Sequence, residues 1–153
     1  MTNSEPNQML LSETIDNNIM RFTMNNLENR NALSASMMSH LIEAITLASV
    51  DKDTRVIVLA ANGTVFCAGH DLKEITEARN ADDEGEAYYR KLFNTCSSLM
   101  QLIVHCPKPV IAEISGTATA AGCQLVASCD LAIASNEAKF ATPGVNIGLF
   151  CST

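Results

Sequence analysis

Two short segments of the sequence place small residues where a strand gives way to a turn or a helix. One runs over 66–72 as Phe-Cys-Ala-Gly-His-Asp-Leu, and the other runs over 117–124 as Thr-Ala-Thr-Ala-Ala-Gly-Cys-Gln. Small side chains let a ligand approach backbone N–H groups, and the start of a helix adds unpaired donors. Such a pair of segments could stabilise negative charge that develops on a ligand oxygen.

Four side chains near these segments could transfer protons. His70 has a suitable intrinsic pKa, although its ring need not face a ligand that meets its N–H. Asp71 and Glu74 could act as bases, or they could cap a helix and lie in solvent. Glu113 interrupts a strand that otherwise reads as buried, which indicates either an exposed edge or a functional carboxylate. The residues alone leave these alternatives open.

Composition excludes several classes of protein. With 153 residues, of which 47% are hydrophobic, the chain is predicted to form one packed domain over 1–153. A net charge of −7 disfavours binding to nucleic acid or to an anionic membrane. No run approaches the roughly 18 apolar residues of a membrane span, and residues 1–8 contain no basic residue, so no targeting segment is predicted.

The cysteines and histidines predict neither disulfides nor a metal site. The histidines lie far apart at His40, His70 and His105, and no Cys/His cluster has the spacing of metal ligands. The six cysteines form no C-x-x-C pair, and they read as small buried side chains in a reducing cytosol, which predicts a cytoplasmic protein. These cysteines are Cys67, Cys96, Cys106, Cys123, Cys129 and Cys151.

Alternating elements must position the two segments. Apolar runs predict strands over 19–24, 55–61, 110–114 and 131–134, the last three covered on both faces. Helical spacing of apolar residues predicts helices from Ser34 to about Ala48, over 86–106, and over 122–128. The acidic stretch 79–86 is predicted to be an exposed loop. This order indicates an α/β fold with parallel strands.

Taken together, the ordered motifs resemble the crotonase (enoyl-CoA hydratase/isomerase) superfamily. The resemblance runs from about Arg21 to the C-terminus, and further motifs stand at 30–33 (Arg-Asn-Ala-Leu), 109–112 (Pro-Val-Ile-Ala), 128–132 (Ser-Cys-Asp-Leu-Ala) and 140–143 (Phe-Ala-Thr-Pro). It implies a ClpP-like α/β fold of repeated β-β-α units and a role in fatty-acid metabolism. The implied ligand is an acyl-CoA thioester, with no separate cofactor.

The resemblance also assigns roles to particular residues. The backbone N–H groups of His70 and Ala121 would form the oxyanion hole that polarises the thioester carbonyl. Gln124 and Gly144 stand where hydratases carry two glutamates, so this chain is similar to the enoyl-CoA hydratase domain-containing subgroup that lacks both. Neither residue can exchange a proton, and hydratase turnover is therefore expected to be weak or absent.

For CoA itself, the implied binding residues lie around the first segment. Arg30 and Lys73 are the best local cations, with solvated surface charge as the alternative for each. Leu33 and Leu72 could line a thioester channel or belong to the core. The full implied set is Arg30, Ala32, Leu33, Ala68, Asp71, Leu72 and Lys73.

Family members usually continue beyond the region of 148–150, so the resemblance predicts an N-terminal core without the C-terminal helical region. Apolar surface would then be exposed, and a homo-oligomer is expected, as a trimer or a dimer of trimers in a full-length form. Two alternatives to hydratase chemistry stay open. One is a noncatalytic module for acyl-CoA binding or assembly, and the other is different acyl-CoA chemistry such as thioester hydrolysis or isomerisation.

Overall fold

The computed structural model describes residues 8–15 and 18–148. Strands and helices alternate through most of this range. The strands are β1 (Leu10–Ile15), β2 (Ile19–Met24), β3 (Val56–Ala61), β4 (Val65–Cys67), β5 (Val110–Ile114), β6 (Thr117–Thr119), β7 (Leu131–Ala134) and β8 (Lys139–Ala141). The helices are α1 (Ala35–Val50), α2 (Leu72–Ala78), α3 (Glu86–Val104) and α4 (Ala121–Ser128), and a 3-10 turn spans Pro143–Ile147.

The strands form two sheets, and from β3 onward successive strands alternate between them. The large sheet has the order β1-β2-β3-β5-β7 and the small sheet has the order β4-β6-β8. Only β1 and β2 pair in antiparallel fashion, and the remaining pairs are parallel. From β3 onward, each unit gives its first strand to the large sheet and its second to the small sheet. The expected α/β fold of repeated β-β-α units is confirmed.

The core lies between the large sheet and the two long helices. Ser34 begins α1 as predicted, because its Oγ accepts a hydrogen bond from the Met37 amide at 3.1 Å. Both helices bury one apolar face with the predicted period. The buried residues of these helices are Met37, Met38, Leu41, Ile45, Ala48, Leu92, Cys96, Leu99, Met100 and Ile103.

The last strand of the large sheet departs from the sequence prediction. We expected Leu131–Ala134 to be covered on both faces, but every residue of β7 is exposed. The strand pairs with β5 at the edge of the sheet, so burial that a central strand would gain from neighbours is missing. Apolar side chains of β8 and of the 3-10 turn are exposed as well, and we call these residues together the open end. The open end consists of Leu131, Ile133, Phe140 and Val145, which are 51–64% exposed.

The structure shows the surroundings of Glu113 and of two cysteines. Glu113 lies on an exposed part of β5, and its Oε1 accepts from Arg21 Nη2 at 2.6 Å, so the carboxylate belongs to a surface ion pair. Cys67 and Cys96 are buried and form no disulfide within the described residues, and burial raises the pKa of Cys67 to about 12. Cys151 lies outside the described residues.

None of the helices in the described ranges combines the length and hydrophobicity that a membrane crossing requires.

Candidate active site

The two small-residue segments meet in the structure. A Cβ built on Gly69 would lie 3.0 Å from the Ala120 Cβ and 3.4 Å from the Ala121 nitrogen. The Thr119 hydroxyl donates to the Ala68 carbonyl at 2.9 Å, which ties the end of β6 to the loop after β4. Gly69 also has φ +88°, a conformation that side chains rarely adopt. The close approach of the two loops therefore depends on glycine at this position.

The Ala121 nitrogen lies against the loop at Gly69, the residue before His70. Leu33 N donates to Gly69 O at 2.8 Å and holds the loop that presents His70. Ala121 is the first residue of α4, a position whose N–H has no partner within its own helix. Across residues 8–15 and 18–148, no backbone or side-chain acceptor takes a hydrogen bond from either the His70 or the Ala121 amide. Both donors are thus free to bind a ligand oxygen.

Ala120 holds the turn before α4 in a strained conformation. Its φ of 50° and ψ of −123° suit glycine, and a residue with a Cβ typically costs about 1–3 kcal/mol there. Its amide donates to Ala141 O at 2.9 Å, and its carbonyl accepts from Cys123 N at 2.9 Å. These hydrogen bonds fix the turn on both sides, so the orientation of the Ala121 amide is set before any ligand binds.

Gly122 packs α4 directly against β4. A Cβ at this position would lie 2.9 Å from the Cys67 Cβ and closer still to the Cys67 carbonyl oxygen. We expect Gly122→Ala to lower the free energy of unfolding by about 3 kcal/mol, measured by urea denaturation. The matched control is Gly148→Ala, where no atom lies within 4 Å of the added Cβ and only the left-handed φ of +72° costs about 1 kcal/mol. Equal losses in the two variants would contradict the packing account.

Gln124 and Gly144, the two positions where the resemblance implies glutamates in hydratases, lie in α4 and in the turn after β8. Gln124 is half-buried in the first turn of this helix, and its N–H bonds Ala120 O at 3.3 Å. Gly144 lies in the 3-10 turn that follows β8. The Ala141 carbonyl, three residues earlier, accepts from the Ala120 amide and brings that turn to the same region. Neither Gln124 nor Gly144 supplies a group that titrates.

The His70 ring turns towards α3. It packs edge-on against Phe93, with ring centroids 5.7 Å apart and an interplanar angle of 83°. Both ring nitrogens are buried, and the backbone of Leu33 is the polar group that acts on the ring. Burial lowers the pKa of His70 below its ordinary value of 6.5, so the ring is neutral at pH 7.

This burial predicts a pH-dependent contribution to stability. Because the folded pKa lies below 6.5, the unfolded chain takes up a proton at His70 before the folded chain does. The contribution is present above pH 6.5 and is lost as the pH falls towards the folded pKa. We expect the wild-type melting temperature to fall further than that of His70→Phe between about pH 7 and pH 5. Parallel profiles for the two proteins would contradict the buried neutral ring.

Two nearby carboxylates have structural partners. Asp71 caps α2, because its Oδ1 accepts from the Lys73 amide at 2.9 Å. Glu74 Oε2 accepts from the Ala35 amide at 3.0 Å and from the Tyr88 hydroxyl at 2.8 Å, linking α2 to both long helices. Burial and the hydrogen bond to Glu74 raise the pKa of Tyr88. This geometry favours the capping interpretation of both carboxylates.

The two candidate cations, Arg30 and Lys73, lie near the loop that follows β4. Arg30 is exposed, and its carbonyl accepts from the Ala68 amide at 3.2 Å. Lys73 Nζ donates to Oδ1 of Asn29, the neighbour of Arg30, at 3.1 Å. Both charges are therefore near the loop that presents the His70 amide.

The apolar residues of the implied CoA set have different environments. Ala32 is 5% exposed, Leu33 is fully buried in the core, and Leu72 is 73% exposed. Phe66, which begins the first small-residue segment, is 1% exposed. Among the described residues, no three His, Cys, Asp or Glu side chains are grouped to hold a metal ion.

Asn31 attaches the loop that contains Arg30 to the segments around it. It is fully buried with φ 51°, its Nδ2 donates to Asn62 O at 3.0 Å and Val65 O at 2.8 Å, and its Oδ1 accepts from Asn26 N at 2.8 Å. We expect Asn31→Ala to cost about 3 kcal/mol of unfolding free energy, because buried polar groups lose their partners. Asn29→Ala in the same loop is the control, since its amide reaches Asn26 Oδ1 only at 3.5 Å and its hydrogen bond from Lys73 Nζ is exposed to solvent. A loss no larger than that of the control would contradict this role.

Comparisons with known proteins agree with this architecture. A model of the enoyl-CoA hydratase/isomerase family matches residues 14–153. Enoyl-CoA hydratase domain-containing protein 3, mitochondrial, of Xenopus laevis is 51% identical over 138 residues, which cover 90% of this chain and 45% of that protein. This chain therefore spans about half the length of the relatives it matches.

Solved structures show the same relationship. Human enoyl Coenzyme A hydratase domain-containing protein 3 superimposes with a TM-score of 0.85 at 44% identity, over 95% of this chain and 55% of that one. An enoyl-CoA hydratase of Mycobacterium smegmatis also gives a TM-score of 0.85, at 46% identity and with the same coverage.

One sequence prediction is overturned by these comparisons. Relatives from frog, mouse and human carry names that include "mitochondrial", so the expectation of a cytoplasmic protein is wrong. Buried cysteines that form no disulfide do not identify the cellular compartment of a protein. The match of the family model over 14–153, together with the shared architecture, shows that the chain belongs to the enoyl-CoA hydratase/isomerase family, the crotonase superfamily.

Proposed function

We propose that this chain binds acyl-CoA thioesters and polarises the thioester carbonyl between the backbone amides of His70 and Ala121. The observation that carries the proposal is the contact of the two loops, since the Ala121 nitrogen lies against the residue before His70 and neither amide has an acceptor among the described residues. Fixed backbone donors stabilise an oxyanion without a titrating proton of their own. The strained turn at Ala120 supports the proposal, because it orients the second donor in advance.

The CoA phosphates are assigned to Arg30 and Lys73. The chain carries a net charge of −7, so a polyanionic ligand needs local cations. These two side chains flank the first loop, one exposed and the other bonded to Asn29. Binding of CoA should accordingly weaken as salt is added.

Proton transfer is the part of hydratase chemistry that this site lacks. Gln124 can orient a water molecule, but it cannot act as a base, and Gly144 has no side chain. The positions of these two residues also favour a second candidate function, a noncatalytic module that binds acyl-CoA. Thioester hydrolysis or double-bond isomerisation would instead require an acid or base other than these two residues.

The test is a calorimetric titration with crotonyl-CoA, followed by enoyl absorbance in the same sample. Free CoA and an Arg30→Gln/Lys73→Gln variant are the controls for the phosphate contacts. Binding with slow or absent loss of absorbance is the expected result. Rapid turnover would show that another group replaces the glutamates, and no binding of any thioester would overturn the proposal. Product analysis across several thioesters would reveal hydrolysis or isomerisation.

We also propose a mitochondrial location and self-association through the open end. The names of the relatives support the location. Leu131, Ile133 and Phe140 expose apolar side chains at the edge of both sheets, and such patches mark interfaces. Light scattering after gel filtration should give a mass above that of one chain. A monomer at all concentrations would contradict self-association.

A further inference from the structure

We propose that the groove between β1 and α1 binds an extended peptide segment of a partner protein, in which a basic side chain lies two residues from an apolar one. The segment would add a strand to the outer edge of the large sheet. No residue that lines this groove belongs to the candidate active site, so the inference does not depend on the proposed function. The β1–α1 groove has a volume of about 420 Å³, and its lining includes Leu10, Ser12, Phe22, Glu43, Leu47 and Asp51.

The first support is the outer edge of β1. Among residues 8–15 and 18–148, only β2 pairs with this strand. The Asn25 amide donates to the Met9 carbonyl at 2.8 Å, which marks this opposing pair as one that bonds across the two strands. Because such pairs alternate in an antiparallel ladder, Leu10, Ser12 and Thr14 direct their backbone N–H and C=O groups away from β2. These groups can pair with an added strand.

The second support is the apolar lining beside this edge. Leu10 and Phe22 of the sheet are buried, whereas Leu47 of α1 lines the same groove with 63% of its surface exposed. A strand added to β1 directs every second side chain to the face of the sheet that α1 covers. An apolar side chain at such a position would remove the surface of Leu47 from water.

The third support is the charge of the groove. Glu43 and Asp51 line it, and the described lining residues include neither Lys nor Arg. The hydrogen bond from the Thr54 hydroxyl lowers the pKa of Asp51, which keeps this carboxylate ionised. Lys108 Nζ donates to the Ala48 and Asp51 carbonyls and balances the charge at that end of α1. Glu43 joins no ion pair of the described residues and is therefore open to a basic partner.

The spacing on the helix matches that of an extended peptide. Glu43 and Leu47 are four residues apart on α1, which is about 6 Å along the helix axis. Side chains two residues apart in a strand share one face and are about 6.6 Å apart. A basic and an apolar side chain at alternate positions can therefore contact Glu43 and Leu47 at the same time.

The experiment is fluorescence anisotropy with the labelled, capped peptide Thr-Lys-Thr-Leu-Thr-Lys-Thr. Its sequence reads the same in both directions, so it can pair with β1 in either orientation. The control peptides replace both Lys by Glu, or Leu by Ser. We expect each control peptide to bind about tenfold more weakly than the first.

Variants of exposed side chains assign the binding to the groove. Glu43→Lys and Leu47→Ser should each weaken binding about tenfold and leave the melting temperature nearly unchanged. Glu77→Lys is the matched control for charge, because Glu77 is exposed on α2 outside the groove. It should bind the peptide as the wild type does.

Ser12→Pro tests strand addition, because it removes a donor on the outer edge and keeps the hydrogen bonds to β2. We expect at least a tenfold loss of affinity, with Ser12→Ala as the control that binds normally. N-methylation of alternate peptide amides repeats the test on the unaltered protein, and one of the two alternating sets should abolish binding.

The outcomes that would overturn this inference are distinct. They are no binding at millimolar peptide, equal affinity for the Lys and Glu peptides, or full affinity in both Glu43→Lys and Leu47→Ser. Light scattering adds one more, since a Ser12→Pro variant of lower mass than the wild type would show that a second copy of the chain occupies this edge.

Discussion

Replacing Gln124 and Gly144 together by glutamate is expected to raise the rate of crotonyl-CoA hydration by about 10²–10⁴-fold. The two positions lie around the start of α4, where the hydrogen bond from the Ala120 amide to the Ala141 carbonyl joins their segments. Two carboxyl groups there would supply the base for water and the acid for the acyl chain. The proposed function predicts a large increase, because in that proposal the donors that polarise the carbonyl are already in place.

The matched control is Gln124→Glu/Gly144→Gln, which fills the same space but has only one group that titrates. Its rate should stay well below that of the double glutamate variant. Initial rates are measured from enoyl absorbance under saturating thioester, with calorimetry to show that each variant binds. A variant with both glutamates that binds crotonyl-CoA and gains no rate would contradict the view that proton transfer is the missing function.

Removing the Ala121 N–H is expected to reduce the stabilisation of a developing oxyanion by about 2.7–4 kcal/mol, the usual effect of deleting one oxyanion donor on a transition state. Proline serves this purpose because it lacks the N–H and fits the first position of a helix. Proline also restricts the backbone conformation of the preceding residue. Ala120 is that residue, and its φ of 50° is already unfavourable for a residue with a Cβ. The substitution is therefore made as Ala120→Gly/Ala121→Pro, with Ala120→Gly alone as its control.

The control should bind thioester as the wild type does and should be more stable, because glycine relieves the strain at this turn. The double variant should lose affinity for crotonyl-CoA by a factor of about ten, the effect of one hydrogen bond to a neutral carbonyl, while it keeps its helical signal in circular dichroism. Equal affinity in a folded double variant would remove the Ala121 amide from the site.

The long elements could be predicted from the sequence because periodicity determines them. The helices from Ser34 and Glu86 each repeat apolar residues over several turns, and Val56–Ala61 is a continuous apolar run. The strands of the small sheet have three residues each, too few to show a period. Helix α2 buries no residue and therefore carries no apolar pattern.

Exposure of β7 was not predictable for a different reason. The run Leu131–Ala134 has the composition of a buried strand, but burial depends on which neighbours a strand acquires. Here β7 ends the large sheet, and its apolar residues face outward. Composition describes the strand, whereas topology determines whether it is covered.

The candidate site could also be predicted only in part. Small residues in two segments predicted loops that could present backbone donors, and the structure brings those loops into contact. The direction of the His70 ring and the positive φ of Ala120 were not predictable, because both depend on packing against distant elements. The proximity of Lys73 to the Arg30 loop likewise arises from a contact with Asn29, 44 positions away in sequence.

The carbonyl stretching frequency of bound crotonyl-CoA, labelled with ¹³C at the thioester carbon, tests the central claim most directly. Difference infrared spectra would be recorded for the wild type, Ala120→Gly, and Ala120→Gly/Ala121→Pro. Polarisation by two backbone donors predicts a shift to lower frequency in the wild type and in the glycine control, and a smaller shift in the double variant. A bound thioester whose carbonyl frequency equals that in water, or shifts equally in all three proteins, would contradict the account.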